Sequence, residues 1–584
     1  MSAVQEMGYR WLVLPDEQAE SPSRELIGGK AWSLWSMRSL GLRVPPAFVV
    51  TTEACRAFFD NAQALPAGLV DEVRAGVATL ENDLGRKFGG TTRPLLVSVR
   101  SGAAISMPGM MDTILNLGMN AEVESALADE TGSPDFAAEV HRRFVAFYGQ
   151  LVLGCVGELD DLTSVDAIRD AIREEVGAEV PSDPWLQLEG AVASVFTSSR
   201  TRRAKAYREH HDIPQDLGTA VTIQAMVFGN LDEASGTGVL FSRNPLTGER
   251  TPYGEYLPCG QGEDVVSGKI TPQPLDHLGV SAPDVHTELL AASELLDAEG
   301  RDAQDIEFTV QQGVLYLLQS RSAKRTARAA VRIAVELHRE GIITPHEALS
   351  RVNAAQVRAL LRPVVAEGAA ERAELLAEGV AASPGVTTGL AVATSEEAEN
   401  TPGAVLVRKT TSPEDVHGMI AAAAVITENG GSTSHAAVVC RALDTPSVVG
   451  CGEGTMDLLV GRIITVDAIN GKVYAGELAT IAVDEDNDRD LQQLLDWARD
   501  RSPIAVVTTA NEAPKPLFDA DPVAAELATD EVPPIPEGTA SVTGACFGTE
   551  DGVKAALDAG VRTIVTARVL PVLLTVITVT ERSS

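Results

Sequence analysis

The sequence has few basic residues for its size and no closely spaced cysteines. Lys and Arg total 47 against 82 Asp and Glu, so the 584 residues carry a formal net charge of −35. Because such a surface repels phosphate backbones, we expect no general nucleic-acid binder, although a small basic nucleotide pocket stays open. None of the six cysteines forms a CxxC pair, so the pattern indicates neither a zinc site nor a disulfide framework.

Long apolar runs are also missing. The longest, Val569 to Thr580, has about twelve residues and contains Pro571, which is too short to span a bilayer. Residues Met1 to Trp11 lack the basic and then apolar pattern of a signal peptide. We therefore expect a cytoplasmic protein that does not enter a membrane.

Composition and local patterning indicate several folded domains. Hydrophobic residues make up 45% of the chain and charged residues 22%, which is ordinary for globular proteins. At roughly 150 residues per domain, the length predicts three or four domains, here of mixed α/β and α+β class. Changes in pattern divide the chain into predicted domains at residues 1–326, 327–380, 381–484 and 485–584. The second of these begins with a strongly helical stretch.

The most informative segment surrounds His435. The predicted strand 424–427 is followed by a Gly-Gly turn, small hydroxyl residues, His435 and an Ala/Val-rich helix. This order predicts that His435 lies at a helix N-terminus, where backbone N–H groups and the helix dipole favour an anion. A phosphorylated imidazole is such an anion, so the pattern favours a phosphohistidine nucleophile. A capping histidine or a metal ligand is the alternative.

Two motifs in this region resemble a known family. Residues 430–437 (GGSTSHAA) are similar to the phosphohistidine motif of the PEP-utilising enzymes, most closely the pyruvate phosphate dikinase family. Residues 411–419 (TSPEDVHGM) resemble the same family. The resemblance implies that His435 carries phosphate from a nucleotide domain to a remote acceptor domain. Thr433 lies where plant members carry a regulatory phosphothreonine, and a turn-forming threonine is the alternative.

Lys30 and Arg100 are candidates for phosphate contact. Lys30 follows two glycines, although this pattern is not a Walker P-loop. Arg100 lies near the end of a predicted strand and precedes a loop that includes residues 107–113 (MPGMMDT). A guanidinium can hold two phosphate oxygens at once, whereas a surface lysine and a structural ion-pair arginine are the alternatives. The family resemblance implies that both residues bind ATP.

Four polar side chains alternate along two further predicted strands. Alternation places Asp305 with Glu307, and Gln319 with Arg321, on shared faces. Carboxylate and amide oxygens suit Mg²⁺ and a guanidinium suits phosphate, whereas a salt-bridged hairpin is the alternative. The resemblance implies that all four bind the nucleotide, that Glu307 and Gln319 contact the metal, and that Arg321 contacts phosphate.

The resemblance extends from about Ile27 to Gly476 and includes glycine-rich loops at residues 229–245 and 260–268. It implies a split, ATP-grasp-like nucleotide-binding domain, a helical linker and a swivelling β/β/α phosphohistidine domain in the first three predicted domains. In this family ATP and inorganic phosphate phosphorylate the histidine in the presence of Mg²⁺, which yields AMP and pyrophosphate. The phosphoryl group then passes to pyruvate and forms phosphoenolpyruvate.

The family's third part is a (β/α)₈ barrel of about 250 residues. After Glu477 only 584 − 477 = 107 residues follow, so we expect residues 485–584 to be an incomplete α/β remnant of the barrel's start. A separate PEP- or pyruvate-binding polypeptide would then supply the acceptor site. The alternatives are a PEP-synthase-like or small-molecule phosphotransferase, and a catalytically decayed nucleotide-binding relative.

Overall fold

The computed structural model describes most of the chain, and structural statements below refer to these residues: 12–13, 22–103, 113–157, 159–210, 214, 218–266, 270–361, 364–366, 368–443, 445–481, 485, 488–521 and 532–583. The predicted loop residues 107–112 and residue 1 to residue 11 lie outside the described residues. Among the described helices, none combines the length and the apolar character needed to cross a membrane.

The N-terminal domain, residues 12–322, contains eleven helices and twelve strands. The helices are α1 (Arg24–Ser39), α2 (Thr52–Asp60), α3 (Leu69–Leu84), α4 (Ala121–Thr131), α5 (Pro134–Leu151), α6 (Val165–Val176), α7 (Pro184–Ser198), α8 (Arg202–His210), α9 (Gly262–Val266), α10 (Asp276–Ser281) and α11 (Pro283–Gly300). The strands are β1 (Leu12–Val13), β2 (Ala47–Val50), β3 (Lys87–Phe88), β4 (Pro94–Leu95), β5 (Val97–Gly102), β6 (Thr113–Leu117), β7 (Ala220–Ala225), β8 (Gly236–Phe241), β9 (Tyr253–Pro258), β10 (Gln273–Pro274), β11 (Gln304–Gln311) and β12 (Val314–Ser322).

Two five-stranded sheets organise this domain. The first has the order β1-β2-β7-β5-β6 and the second the order β10-β9-β8-β11-β12. The central strands β5, β7 and β8 are buried along their whole length, because helices and the facing sheet cover both sides. The candidate residues from the sequence lie on α1, β5, β11 and β12, so the fold brings parts of both sheets to one site.

Three helices follow: α12 (Ala327–Arg339), α13 (Pro345–Ser350) and α14 (Ala354–Leu360). A capping box at Thr344 and Glu347 starts α13. Arg243 is buried and ion-paired with Asp297 of α11 at 2.9 Å and with Glu340 at the end of α12 at 2.8 Å. This buried charge cluster holds α12 against the N-terminal domain.

The histidine domain, residues 375–475, is an eight-stranded sheet with four short helices. Its elements, together with the flanking strand pair β13 (Val364–Val365) and β22 (Thr480–Ile481), are β14 (Leu375–Glu378), β15 (Val380–Ser383), β16 (Val386–Val392), α15 (Ser395–Asn400), β17 (Val405–Arg408), α16 (Val416–Ala421), β18 (Ala424–Thr427), α17 (His435–Leu443), β19 (Ser447–Val449), α18 (Thr455–Leu459), β20 (Ile463–Asp467) and β21 (Lys472–Ala475). The sheet order is β14-β21-β20-β16-β17-β18-β19-β15.

This sheet begins at Leu375, inside the segment predicted as linker. A four-residue edge strand in an Ala- and Glu-rich stretch has too little alternation to be separated from helix by sequence pattern. Both chain segments that join the histidine domain to the rest pass through β13 and β22, which pair antiparallel with each other.

The C-terminal segment contains α19 (Arg489–Arg501), β23 (Ala505–Val507), β24 (Leu517–Asp519), β25 (Ser541–Thr543), α20 (Glu550–Asp558), β26 (Thr563–Val565) and α21 (Val569–Ser583). Its four strands form a parallel sheet in the order β23-β26-β25-β24. The helices α12, α14, α19 and α21 share one hydrophobic core with this sheet. The apolar run of residues 569–580 is therefore a buried helix, and the whole chain has the mixed α/β and α+β multidomain class that the sequence predicts.

Candidate active site at the interface of two domains

One cavity of about 360 Å³ lies between the N-terminal domain and the histidine domain. Every site residue that the sequence singles out lines it: Lys30, Arg100, Asp305, Glu307, Gln319, Arg321, Thr433 and His435. The first six belong to the N-terminal domain and the last two to the histidine domain. The fold therefore places the candidate nucleophile and the candidate nucleotide ligands at a shared site, although they come from segments far apart in sequence.

Lys30 reaches the cavity because two glycines let α1 approach the end of β5. Gly28 has a φ of +75°, and a Cβ there would lie 2.1 Å from the carbonyl oxygen of Gly102. The N–H of Gly29 donates to the carbonyl oxygen of Ala103 at 2.9 Å. Any larger residue at position 28 would push α1 away from the sheet, and Lys30 with it.

Arg100 is buried at the floor of the cavity and links both sheets. Its Nη1 donates to Gln224 Oε1 and to the carbonyl oxygen of Leu318, each at 3.0 Å, and its Nη2 lies 3.5 Å from Glu307 Oε2. Burial lowers the pKa of Arg100, and the charge of Glu307 opposes that effect. These contacts hold the guanidinium in one orientation, which suits a phosphate contact.

The paired strands β11 and β12 carry the four other polar residues. Their register sets Asp305 opposite Arg321 and Glu307 opposite Gln319. Arg321 Nε donates to Asp305 Oδ2 at 2.8 Å, and Arg321 Nη2 lies 3.8 Å from Glu307 Oε1. The charge of Asp305 is the largest effect raising the pKa of Arg321, and burial raises the pKa of Asp305. The strand pair thus contains the salt bridge of the alternative interpretation, and the same residues also line the cavity.

Glu307 and Gln319 offer two neighbouring oxygen donors for a hard cation. Within the described part of the chain, no group of three or more His, Cys, Asp or Glu residues could hold a metal ion. Mg²⁺ commonly binds one or two protein oxygens and takes its remaining ligands from water and substrate phosphates. The donor set of Glu307 and Gln319 therefore fits a magnesium ion that arrives with a nucleotide, and does not resemble a closed metal cage.

His435 is the first residue of α17, as the Gly-Gly-hydroxyl pattern predicts. Its ring is half-buried, and its Nδ1 lies 3.1 Å from the hydroxyl of Thr411. Thr411 follows β17, the strand next to β18, so the sheet order brings it to the histidine. This contact fixes the plane of the imidazole ring and engages one of its two nitrogens.

A second set of contacts holds the histidine domain against the N-terminal domain. Glu255 on β9 accepts hydrogen bonds from the backbone N–H of Ser432 at 3.0 Å and its hydroxyl at 2.8 Å. The Thr433 hydroxyl donates to the other oxygen of Glu255 at 2.5 Å, and Tyr253 donates to Ser432 at 2.9 Å. A Cβ at position 431 would lie 2.6 Å from Glu255 Oε1, which explains the second glycine of the motif.

Sequence reasoning did not assign roles to several residues at this site. Glu255 lies in a stretch that reads as connecting loops, and Thr411 and Glu263 lie in family-like segments without a chemical signal of their own. Tyr253 and Tyr256, aromatic residues of a kind enriched in strands, could have indicated the strand β9. The contact between Glu255 and Ser432 joins residues that are 177 positions apart, so it leaves no local signal in the sequence.

Glu263 is a carboxyl group that its buried environment in the cavity leaves partly protonated near pH 7. Burial, together with the neighbouring charge of Asp264, raises the pKa of Glu263 to about 7. Its Oε2 has no hydrogen-bond partner among the residues that the structure describes. The adjacent Asp264 is ion-paired with Arg143 at 3.0 Å.

This shift predicts a pH-dependent stability. Between the ordinary carboxyl value of 4.5 and about 7, the folded protein binds a proton at Glu263 that the unfolded chain has released. The free energy of unfolding should therefore fall as pH rises through that window. In Glu263→Gln the decrease in the free energy of unfolding between pH 5.5 and 8 should be smaller by about 1–2 kcal/mol than in wild type. Urea denaturation across this pH range measures it. The exposed Glu249→Gln is the matched control, and equal pH dependence in wild type and Glu263→Gln would contradict the prediction.

Comparison with known proteins agrees with this geometry. Residues 24–67 and 63–299 match the family "Pyruvate phosphate dikinase, AMP/ATP-binding domain", and residues 400–471 match "PEP-utilising enzyme, mobile domain". Lys30 and Arg100 lie within the first match and His435 within the second, whereas the cavity residues between 305 and 321 lie outside both. The matched regions thus resemble the ATP-binding and mobile domains of PEP-utilising enzymes.

Similarity over most of the chain shows which PEP-utilising enzymes it resembles. The chain is 40% identical to the pyruvate, phosphate dikinase of Rhizobium meliloti (strain 1021) over 548 residues, which covers 85% of this chain and 60% of the relative. It is 40% identical to that of Clostridium symbiosum, with 87% and 63% covered, and 41% identical to the chloroplastic pyruvate, phosphate dikinase 1 of Zea mays, with 84% and 55% covered. Over these regions the chain is similar to pyruvate, phosphate dikinases, as its motifs predict. It spans 55–63% of the length of these relatives.

Proposed function

We propose that this chain catalyses the ATP-dependent half of a pyruvate phosphate dikinase reaction. The β-phosphoryl group of ATP moves to His435, the γ-phosphoryl group moves to inorganic phosphate, and AMP and pyrophosphate leave. The observation that supports this proposal is the shared cavity, in which His435 faces the basic and acidic side chains of the N-terminal domain. Phosphoryl transfer needs mainly positioning and charge neutralisation, and both are available here.

The imidazole nitrogen Nε2 is the proposed nucleophile. When the Nδ1–H group donates a hydrogen bond to the Thr411 hydroxyl oxygen, Nε2 carries the lone pair that forms the N–P bond. The positive end of the α17 dipole then stabilises the new dianion. No proton has to leave the ring during the attack, because the neutral tautomer already exposes the lone pair.

The N-terminal domain would bind the nucleotide through its charged residues. Lys30, Arg100 and Arg321 neutralise the polyphosphate, and Asp305 holds Arg321 in place. Glu307 and Gln319 would bind Mg²⁺, which supplies charge neutralisation and orientation to the phosphates when bound.

The second half of the reaction transfers the phosphoryl group from His435 to an acceptor. We propose pyruvate as the acceptor, with phosphoenolpyruvate as the product, in line with the names of the relatives. The acceptor site would lie outside the cavity that holds the nucleotide. The histidine domain would reach that site by moving about the β13–β22 connection.

Transfer of label from [β-³²P]ATP tests the proposal. In the presence of Mg²⁺ and phosphate we expect acid-labile label on the protein. Labelling that does not need phosphate would indicate a PEP-synthase-like reaction, and a pyruvate chase would report whether pyruvate is the acceptor. Absence of label in a protein that binds ATP would contradict the proposal and leave a nucleotide-binding relative.

Thr433 is a proposed regulatory residue. Its hydroxyl donates to the buried carboxylate of Glu255, so a phosphate on Thr433 would bring a dianion against that carboxylate. Like charges at this distance repel strongly in a buried site. Phosphorylation of Thr433 would therefore separate the two domains and stop phosphorylation of His435.

A further inference from the structure

A buried arginine of the histidine domain lies at the domain interface, and only part of its guanidinium group has hydrogen-bond partners among the described residues. Arg441 is in the last turn of α17, the helix that begins at His435, and it is 6% exposed. Its Nη1 donates to the carbonyl oxygen of Ala382 at 3.2 Å within its own domain. Its Nε and Nη2 are buried and have no hydrogen-bond partner in the part of the chain that the structure describes.

The N-terminal domain presents a matching group. The register of β8, β11 and β12 sets Phe241, Asp305 and Arg321 side by side in one row. The guanidinium carbon of Arg441 lies 6.0 Å from the centre of the Phe241 ring. Asp305 is 3% exposed, and its Oδ1 has no hydrogen-bond partner among the described residues, whereas Oδ2 accepts from Arg321.

The two incompletely partnered groups carry opposite charge and act on each other. Burial lowers the pKa of Arg441, and the carboxylate of Asp305 is the largest charge that opposes this effect. Arg441 is in turn one of the positive charges that act on Asp305. Because a buried charge is costly without an opposite charge nearby, each group is stabilised by the other only while the two domains are in contact.

We propose that Arg441 is a positioning residue that completes the nucleotide site when the histidine domain docks. This inference rests on the proposed function and extends it to a residue outside the cavity lining. Docking places the guanidinium over Phe241, in the row that contains Asp305 and Arg321, so a positive charge faces the carboxylate that holds Arg321. This arrangement is complete only when His435 is also at the site to receive the phosphoryl group.

Single-turnover phosphorylation of His435 by ATP tests the catalytic consequence. Arg441→Met should lower the rate constant by about tenfold to a hundredfold, because it removes a positive charge that acts on the carboxylate of Asp305. The KM for ATP should change less than about threefold, since Arg441 does not line the cavity, and Arg441→Lys should recover part of the rate because it keeps the charge. Arg462→Met, at an exposed ion pair of the same domain, is the matched control.

A double-mutant cycle separates this role from a structural one. In an Asp305→Asn background the effect of Arg441→Met should largely disappear, because the charge it compensates is gone. If Arg441 only anchored Ala382 within its own domain, its substitution would cost the same in both backgrounds, and the proposal would be overturned. Thermal unfolding of each variant shows whether the histidine domain remains folded.

Domain docking provides a readout that does not depend on catalysis. Fluorescence energy transfer between dyes on Glu294→Cys and Glu453→Cys, with the exposed Cys259→Ser, measures the docked fraction. Arg441→Met and Asp305→Asn should each lower that fraction, and the pair together should lower it no further. An unchanged docked fraction in Arg441→Met would overturn the inference, even if ATP phosphorylates wild-type His435. If wild type is not phosphorylated but the docked fractions of the variants change as expected, only the proposed function is overturned.

Discussion

His435→Ala is expected to abolish acid-labile labelling by [β-³²P]ATP, with a fall of at least about 1000-fold in the single-turnover rate. The variant removes the nitrogen that forms the N–P bond, and no other histidine lines the cavity among the described residues. ATP binding should persist, because the cationic residues that face the polyphosphate belong to the N-terminal domain. Labelling and nucleotide binding are measured on the same protein preparation.

The exposed His417 lies in the same domain and supplies the matched control. His417→Ala should be labelled like wild type, since its side chain is not part of the cavity. Acid-labile label that persists on His435→Ala would show that another residue is the nucleophile. Loss of ATP binding in His435→Ala would show instead that the histidine domain contributes to nucleotide binding.

Arg321→Met should lower the rate of His435 phosphorylation by about 1000-fold, the scale at which a transition-state arginine acts in phosphoryl transfer. The substitution removes the cation that lies 2.8 Å from Asp305 and 3.8 Å from Glu307. Two carboxylates in the cavity would then face the nucleotide without that charge, and the pKa of Asp305 would rise further. Single-turnover quench of phosphorylated protein measures the effect.

Arg301→Met is the matched control for charge loss in the N-terminal domain. Arg301 is half exposed and pairs with Glu347 at 2.9 Å, far from the cavity lining. Its substitution should leave the labelling rate within about twofold of wild type, as expected for a surface ion pair. A rate for Arg321→Met within tenfold of wild type would contradict the role assigned to Arg321.

Some parts of the site could be predicted because their signals are local. A strand, two glycines and small hydroxyl residues before an Ala/Val-rich run indicate a helix that starts at His435, and α17 starts there. Alternation places Asp305 with Glu307, and Gln319 with Arg321, on shared faces, and all four line the cavity. These signals depend on backbone geometry over a few residues, so they survive in any tertiary context.

Other parts had no local signal. Glu255 contacts Ser432 across 177 positions, and Arg441 lies beside Asp305 only because α17 docks over β8 and β11. The first residues of the histidine-domain sheet, at β14, also escape prediction, since pairing with β21 rather than intrinsic propensity makes them a strand. In each case the partner is distant in sequence.

The sequence by itself determined which chemistry the protein carries: a histidine at a helix start, a pair of alternating polar strands, a lysine after two glycines, and motifs that identify the family. Tertiary structure decided that these groups line one cavity, that Glu255 and Arg441 take part in docking, and that the helices α12 and α14 share a core with the C-terminal segment. The physical reason is that local patterns reflect backbone geometry, whereas docking depends on the sum of many long-range contacts that no short segment encodes.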